Sequence, residues 1–159
     1  VAQNNTPKAP PTEAQMSFEK MKSLAGVWEG KLTTTPPTPE VQDKVARVTL
    51  RVTSSGNALM HELQIPGRED DPITMFYLDG DRLTLTHYCD AGNRPRMTGK
   101  LGADGKTLDF KFLDISGEME YHMHHSRFTL VDATHHEEEW TFMMADKPVL
   151  VHFDLHRKN

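Results

Sequence analysis

The stretch EMEYHMHHSRF, residues 118–128, places His122, His124 and His125 within four positions, and His135 and His136 follow ten residues later. A neutral imidazole is the commonest protein ligand for a metal, and its unperturbed pKa near 6.5 also makes it the usual proton carrier. Two histidines two apart on a strand project to the same side about 7 Å apart, so His122 and His124 would form a bidentate donor. Whether they do so depends on the elements that carry them and on which other histidines share their face.

Those elements read as strands. After a polar, proline-bearing lead-in over residues 1–12, TEAQMSFEKMKSL spaces Met16, Phe18, Met21 and Leu24 on one helical stripe, with Thr12 as the cap. Beyond it, runs with two-residue alternation recur every 8–12 residues or so between turn signals, which marks an all-β domain over residues 13–159. Strands are expected near 26–34, 44–54, 57–65, 72–79, 82–89, 95–102, 106–113, 118–131, 135–144 and 148–157. Roughly ten antiparallel strands joined by short hairpins close most economically as an up-and-down β-barrel with one short N-terminal helix, because closure removes the exposed edges. A two-sheet sandwich is the alternative.

Turn positions fix hairpin register, and register fixes side-chain direction. A turn at Ser55-Gly56 pairs Val52 with Leu59, Leu50 with His61 and Val48 with Leu63. A turn at Gly80-Asp81 pairs Leu78 with Leu83, Phe76 with Leu85 and Thr74 with His87, so His61 and His87 both point inward with leucines and phenylalanines. The Asp104-Gly105 turn sets Leu101 against Leu108, Gly99 against Phe110 and Met97 against Phe112, with Lys100 and Asp109 paired on the solvent face. For residues 118–131 two cues conflict. Alternation from Phe128 and Leu130 turns His122 and His124 inward and His125 outward, whereas a two-residue turn at Asp132-Ala133 sets Met123 opposite Phe142 and His125 opposite Trp140. A bulge would restore the first arrangement.

With the first arrangement, His61, His87, His122 and His124 would share one interior and bind the polar end of a ligand or a metal. Each is otherwise a core histidine bonded to a threonine, tyrosine or water. His135 and His136, beside Glu137, Glu138 and Glu139, are expected on a solvated rim, and His152 and His156 are expected to face water. Arg94 and Arg96 in CDAGNRPRM are available to an anion at a barrel mouth, and Cys89 reads as a small strand-end residue.

The motif GVWEG, with Gly26, Trp28 and Gly30, stands on the first strand directly after the helix. It resembles the Gly-x-Trp signature of calycins, the lipocalin and fatty-acid-binding superfamily, and its longer form resembles that of the haem-binding nitrobindins. The resemblance implies a barrel whose tryptophan packs against a basic residue of the last strand, here Arg157. The chain also resembles a group of small exported bacterial proteins without established activity, through FTLVDATHHEEEWTF and VHFDLHRK. The haem ligand of the nitrobindins matches no histidine motif here, so a divalent metal, a haem and a purely organic ligand all stay open as cofactors.

A net charge of −5 without a basic cluster argues against a nucleic-acid partner. No apolar run approaches the roughly 18–20 residues of a membrane-crossing helix. The start VAQNNT fits the end of an Ala-x-Ala export signal cut before Gln3, giving an exported, periplasmic or secreted protein, with a trimmed cytosolic chain as the rival. Phosphate loops, Ser-His-Asp order, Cys-x-x-Cys and His-Glu-x-x-His motifs are absent, leaving no support for hydrolase or kinase chemistry. The function expected is a barrel that holds a small, partly apolar molecule. The alternatives are an enzyme of the same fold with an interior histidine as acid/base, a haem-binding barrel, and a barrel filled by its own side chains.

Overall fold

The computed structural model describes residues 6–159. Val1, Ala2 and Gln3, where export processing is expected, lie outside the described residues, as does most of the first half of the lead-in; residues 6–12 are exposed and carry no regular structure. Helix α1 (Glu13–Lys22) starts at a capping box, in which the Thr12 hydroxyl accepts from the Gln15 N–H and the Gln15 side chain accepts from the Thr12 N–H. Its buried face carries Ala14, Ser17, Phe18 and Met21.

Ten strands follow: β1 (Gly26–Thr35), β2 (Val45–Thr53), β3 (Ala58–Gln64), β4 (Ile73–Asp79), β5 (Arg82–Tyr88), β6 (Arg94–Leu101), β7 (Thr107–Ser116), β8 (Tyr121–Asp132), β9 (His135–Met144) and β10 (Lys147–Arg157). Each pairs antiparallel with its sequence neighbour, and β1 pairs with β10 to close the barrel. The pairs set by the three turns are all present, Leu50 with His61 and Thr74 with His87 among them. The sandwich is therefore excluded.

One half of the barrel is solid. Phe76, Phe110 and Phe128 meet in edge-to-face contacts with ring centroids 5.4–6.0 Å apart. Gly99 makes room for this cluster, since a Cβ there would stand 2.5 Å from the Phe110 ring. Helix α1 caps this end, where Lys22 Nζ donates to the Gly56 carbonyl and Ser17 Oγ accepts from the Leu101 N–H.

The Gly-x-Trp-x-Gly motif owes its glycines to the seam between β1 and β10. A Cβ on Gly30 would sit 1.6 Å from the Asp154 carbonyl oxygen, and one on Gly26, where φ is +141°, would sit 2.6 Å from the Arg157 guanidinium. Arg157 lies over the Trp28 ring at 4.3 Å and donates to the carbonyls of Ala25, Ser23 and Ala133, while the Trp28 indole N–H donates to Leu24. One cation thus ties the helix exit, the β8–β9 turn and the last strand together. Gly30→Ala meets backbone rather than a side chain that can turn aside. It should cost about 3 kcal/mol, the upper part of the usual overpacking range. That corresponds to a melting temperature lower by roughly 6–12 °C for a domain of this size, readable by circular dichroism; an unchanged melting temperature would refute this account of the seam.

Candidate functional site

The other half of the barrel is open. A cavity of about 290 Å³ lies between Leu32, Val41, Leu63, Ile65, Met123, Phe142, Val149, Val151 and Phe153, with His61, Thr74, His87 and Trp140 supplying its polar end. Cys89, Asp90, Arg68 and Asp70 stand at its mouth. Arg68 is neutralised there by Asp70 and Asp90 at 3.1 and 2.9 Å. The Cys89 thiol is pushed up by burial and by Asp90.

His61 and His87 are both buried and both line this cavity, as their hairpin registers require. His122 and His124 do not line it. The four-histidine interior expected from the sequence is therefore corrected. The cause is a register shift between Met123 and His125, which leaves His124 without a partner on β9. On one side of the shift Met123 pairs with Phe142, and on the other Ser126 pairs with Trp140, so each conflicting cue holds over part of the strand. His122 is sealed by the Met119 carbonyl at 2.6 Å and by His124 at 2.9 Å. His124 stacks on Phe112 at 4.8 Å, and burial together with the nearby His122 and His125 lowers its pKa. His125 faces outward to Asp109 at 2.8 Å.

The second correction concerns the expected rim. His136 and Glu138 are fully buried, because they share parity with Trp140 on β9 and turn inward with it. The Glu138 carboxylate accepts from His61 Nε2 at 2.9 Å, from His136 Nε2 at 3.0 Å and from the Trp140 indole N–H at 2.9 Å. Burial raises the carboxyl pKa, but the attraction of His61 and the hydrogen bonds from His136 and His61 outweigh it and hold the group well below the usual carboxylate range. The alternation His136, Glu138, Trp140, Phe142 was the signal that could have found this carboxylate. His135 does stay on the outer wall, half-buried, and His156 is exposed.

Arg94 and Arg96 serve no anion at the mouth. Arg96 makes a bidentate pair with Asp114, Arg94 donates to Ser116, and neither borders the cavity.

The cavity histidines differ in state. His61 Nε2 is committed to Glu138, and His61 Nδ1 is buried without a partner. His87 Nδ1 shares a hydrogen bond with Thr74 Oγ1 at 2.8 Å, which leaves Nε2 for a ligand. Burial, with a smaller contribution from the charge of His61, pushes the His87 pKa down to about 4. The unpartnered His61 Nδ1 has no exposed surface, so of the two cavity imidazoles His87 Nε2 alone is presented to a ligand. One such nitrogen does not make a chelate, and a cavity of about 290 Å³ is at the lower limit for drug-sized molecules. These interior residues fit neither a chelated metal nor a macrocycle as large as haem.

Solved structures that share the fold include three from different organisms. Rv2717c from M. tuberculosis matches with a TM-score of 0.62 at 14% identity, over 90% of this chain and 98% of that one. The S-type phycobiliprotein lyase CPES from Guillardia theta matches with 0.58 at 12%, over 94% and 99%. A protein of unknown function from the DUF3598 family, from Nostoc punctiforme, matches with 0.58 at 12%, over 98% of this chain and 53% of that one, so the chain spans about half its length. No family model matches the chain, and no curated protein matches its sequence. At these identities the likeness establishes the fold alone, a closed ten-stranded antiparallel barrel.

Two predictions follow from the charge states. Between pH 6.5 and 4 the unfolded chain protonates His87 and the native chain does not, so stability is lost as pH falls through that window. The loss should be on the order of 3 kcal/mol. His87→Leu should flatten this part of a urea-denaturation profile, and an unchanged slope would count against a buried neutral His87. Glu138→Gln leaves three N–H donors facing an amide without the charge that held them. It should cost about 3–5 kcal/mol, as for a broken buried pair, read as a lowered urea midpoint; a near-neutral effect would show the network to be dispensable.

Proposed function

We infer that the barrel binds a small, mostly apolar molecule carrying one neutral hydrogen-bonding group, such as a carbonyl or hydroxyl. The observation that carries this is the mostly apolar cavity that reaches His87, whose Nδ1 is bonded to Thr74 while Nε2 is left for a ligand, and whose ring stays neutral to about pH 4. A neutral imidazole offers a hydrogen bond but no charge, and Glu138 already occupies the negative end of the interior. The rim arginine, Arg68, is already compensated by two carboxylates. A carboxylate ligand would therefore enter without a counter-charge, and burying an unpaired charge is costly. The apolar wall supplies affinity, and His87 with Thr74 orients the polar end.

A second reading, an enzyme of this fold, draws on the Glu138–His61 pair beside the same cavity, since a carboxylate that orients a histidine is the arrangement of an acid/base catalyst. A fold neighbour named as a phycobiliprotein lyase is a precedent for the fold alone.

Trp140 lines the cavity whereas Trp28 is sealed beneath it, so ligand entry should change Trp140 emission. Titration at pH 7 with a medium-chain alcohol or methyl ketone should saturate more tightly than with the fatty acid of equal length. His87→Leu should weaken the neutral ligand by about 5- to 10-fold, the value of one hydrogen bond. Tighter binding of the fatty acid, or indifference to His87→Leu, would overturn this reading. Conversion of the bound ketone or alcohol, abolished by Glu138→Gln under conditions where that variant is folded, would favour the enzyme.

A further inference from the structure

We propose that the outer wall of the barrel carries a site for a divalent transition metal, formed by His135, Asp154 and His156. It is independent of the cavity, since none of the three borders it.

The site is built by strand register. His135 on β9 stands directly opposite His156 on β10, and Asp154 lies two residues before His156 on the same face. The two imidazoles stack with centroids 4.2 Å apart and planes at 15°. Asp154 Oδ1 is 2.5 Å from His135 Nε2 and 3.9 Å from His156 Nε2. One ligand atom from each residue lies within 4.8 Å of the others, the one such group among the described residues. In a tetrahedral zinc site with bonds of about 2.05 Å, neighbouring ligand atoms stand roughly 3.4 Å apart. Turning the His156 side chain, which is 62% exposed, closes its distance to Asp154, and the His135–Asp154 pair opens by about 0.9 Å to reach the same spacing.

The chemistry selects the ion. Two imidazoles and one carboxylate suit zinc and its neighbours in the first transition row, and they leave a fourth position for water; calcium and magnesium require oxygen ligands. The surroundings are acidic. Glu137 on β9, Glu29 on β1 and Asp132 on β8 pair with or adjoin the three ligand residues in the ladder. Lys31, opposite Asp154, is turned to Asp43 at 3.0 Å, and Arg47 and Lys158 are turned to Glu29 at 2.8 and 3.3 Å. A cation arriving here meets net negative charge.

The test is zinc titration of tag-free protein by calorimetry, with native mass spectrometry for stoichiometry. One zinc per chain is expected, with binding weakened as pH falls from 7.5 to 5.5 because protons compete for both imidazoles. His156→Ala and His135→Ala should each lower affinity at least about 10-fold, a loss that even an outer-sphere partner can cause. His152→Ala, on the same strand but outside the ligand set, should leave it within about 2-fold. Circular dichroism on each variant checks that the fold is intact, and His156, being exposed, is the substitution that bears least on folding. Absence of zinc binding by the wild-type chain, or zinc binding that survives His156→Ala in a folded variant, overturns the proposal. Zinc binding lost instead in His61→Ala or His87→Ala would place the metal in the cavity and also overturn it, whereas loss of alcohol or ketone binding leaves it untouched.

Discussion

A carboxylate fully buried inside a barrel is the constraint that organises this interior. Glu138 on β9 reaches across to His61 on β3, four strands away around the closed sheet and so close to the opposite wall. Its cost of burial is offset only if every donor stays in place. His61, His136 and Trp140 are therefore fixed together, and their rings also form the boundary between the two halves of the molecule. Below them, His136 stands edge-on to Trp28 at 4.2 Å and stacks with Phe128 at 6.3 Å. Above them, His61 and Trp140 face the cavity. The charged network is a partition, with solid core on one side and ligand space on the other.

That partition explains why the same fold is closed at one end and open at the other. Aromatic rings and helix α1 fill the end at which Trp28 and Arg157 seal the β1–β10 seam. At the other end aliphatic and methionine side chains line the wall and longer loops form the mouth, where Asn93 donates to the carbonyls of Glu118 and Tyr121 at 2.7 Å and ties two of those loops together. Large rings pack the floor because three can meet edge to face within a ten-stranded circumference. The wall above it, mostly Leu, Val and Met with Phe142 and Phe153, leaves a cavity of about 290 Å³.

Legibility in the sequence followed the strength of local constraints. Tight turns such as Gly80-Asp81 and Asp104-Gly105 specify register, and from them the inward direction of His61, His87, Phe76 and Phe110 followed without any knowledge of the whole. The glycines of the first strand and the terminal arginine marked the seam. What was not legible depended on a single extra residue or on long-range pairing. The unpaired His124 on β8 reverses the faces of half a strand, and nothing in MHHS announces it. Glu138 was hidden by composition: three consecutive glutamates read as a solvated run, although the middle one shares parity with Trp140. Its inward position makes physical sense only once His61, distant by 77 residues, is known to face it.

Parity on β9 also separates the two kinds of histidine chemistry this protein presents. His136 and Glu138 turn inward, where low dielectric makes a hydrogen-bonded charge strong and an unpaired one costly. His135 and Glu137 turn outward, one residue away in each case, where His135 pairs with Asp154 and Glu137 with His152 on the outer wall. A one-residue slip of β9 would bring His135 and Glu137 inside and expose Trp140, undoing the partition and the outer cluster together. The β9 register is thus held from both faces, by Glu138 with His61 on the inside and by the pairing of His135 with His156 on the outside.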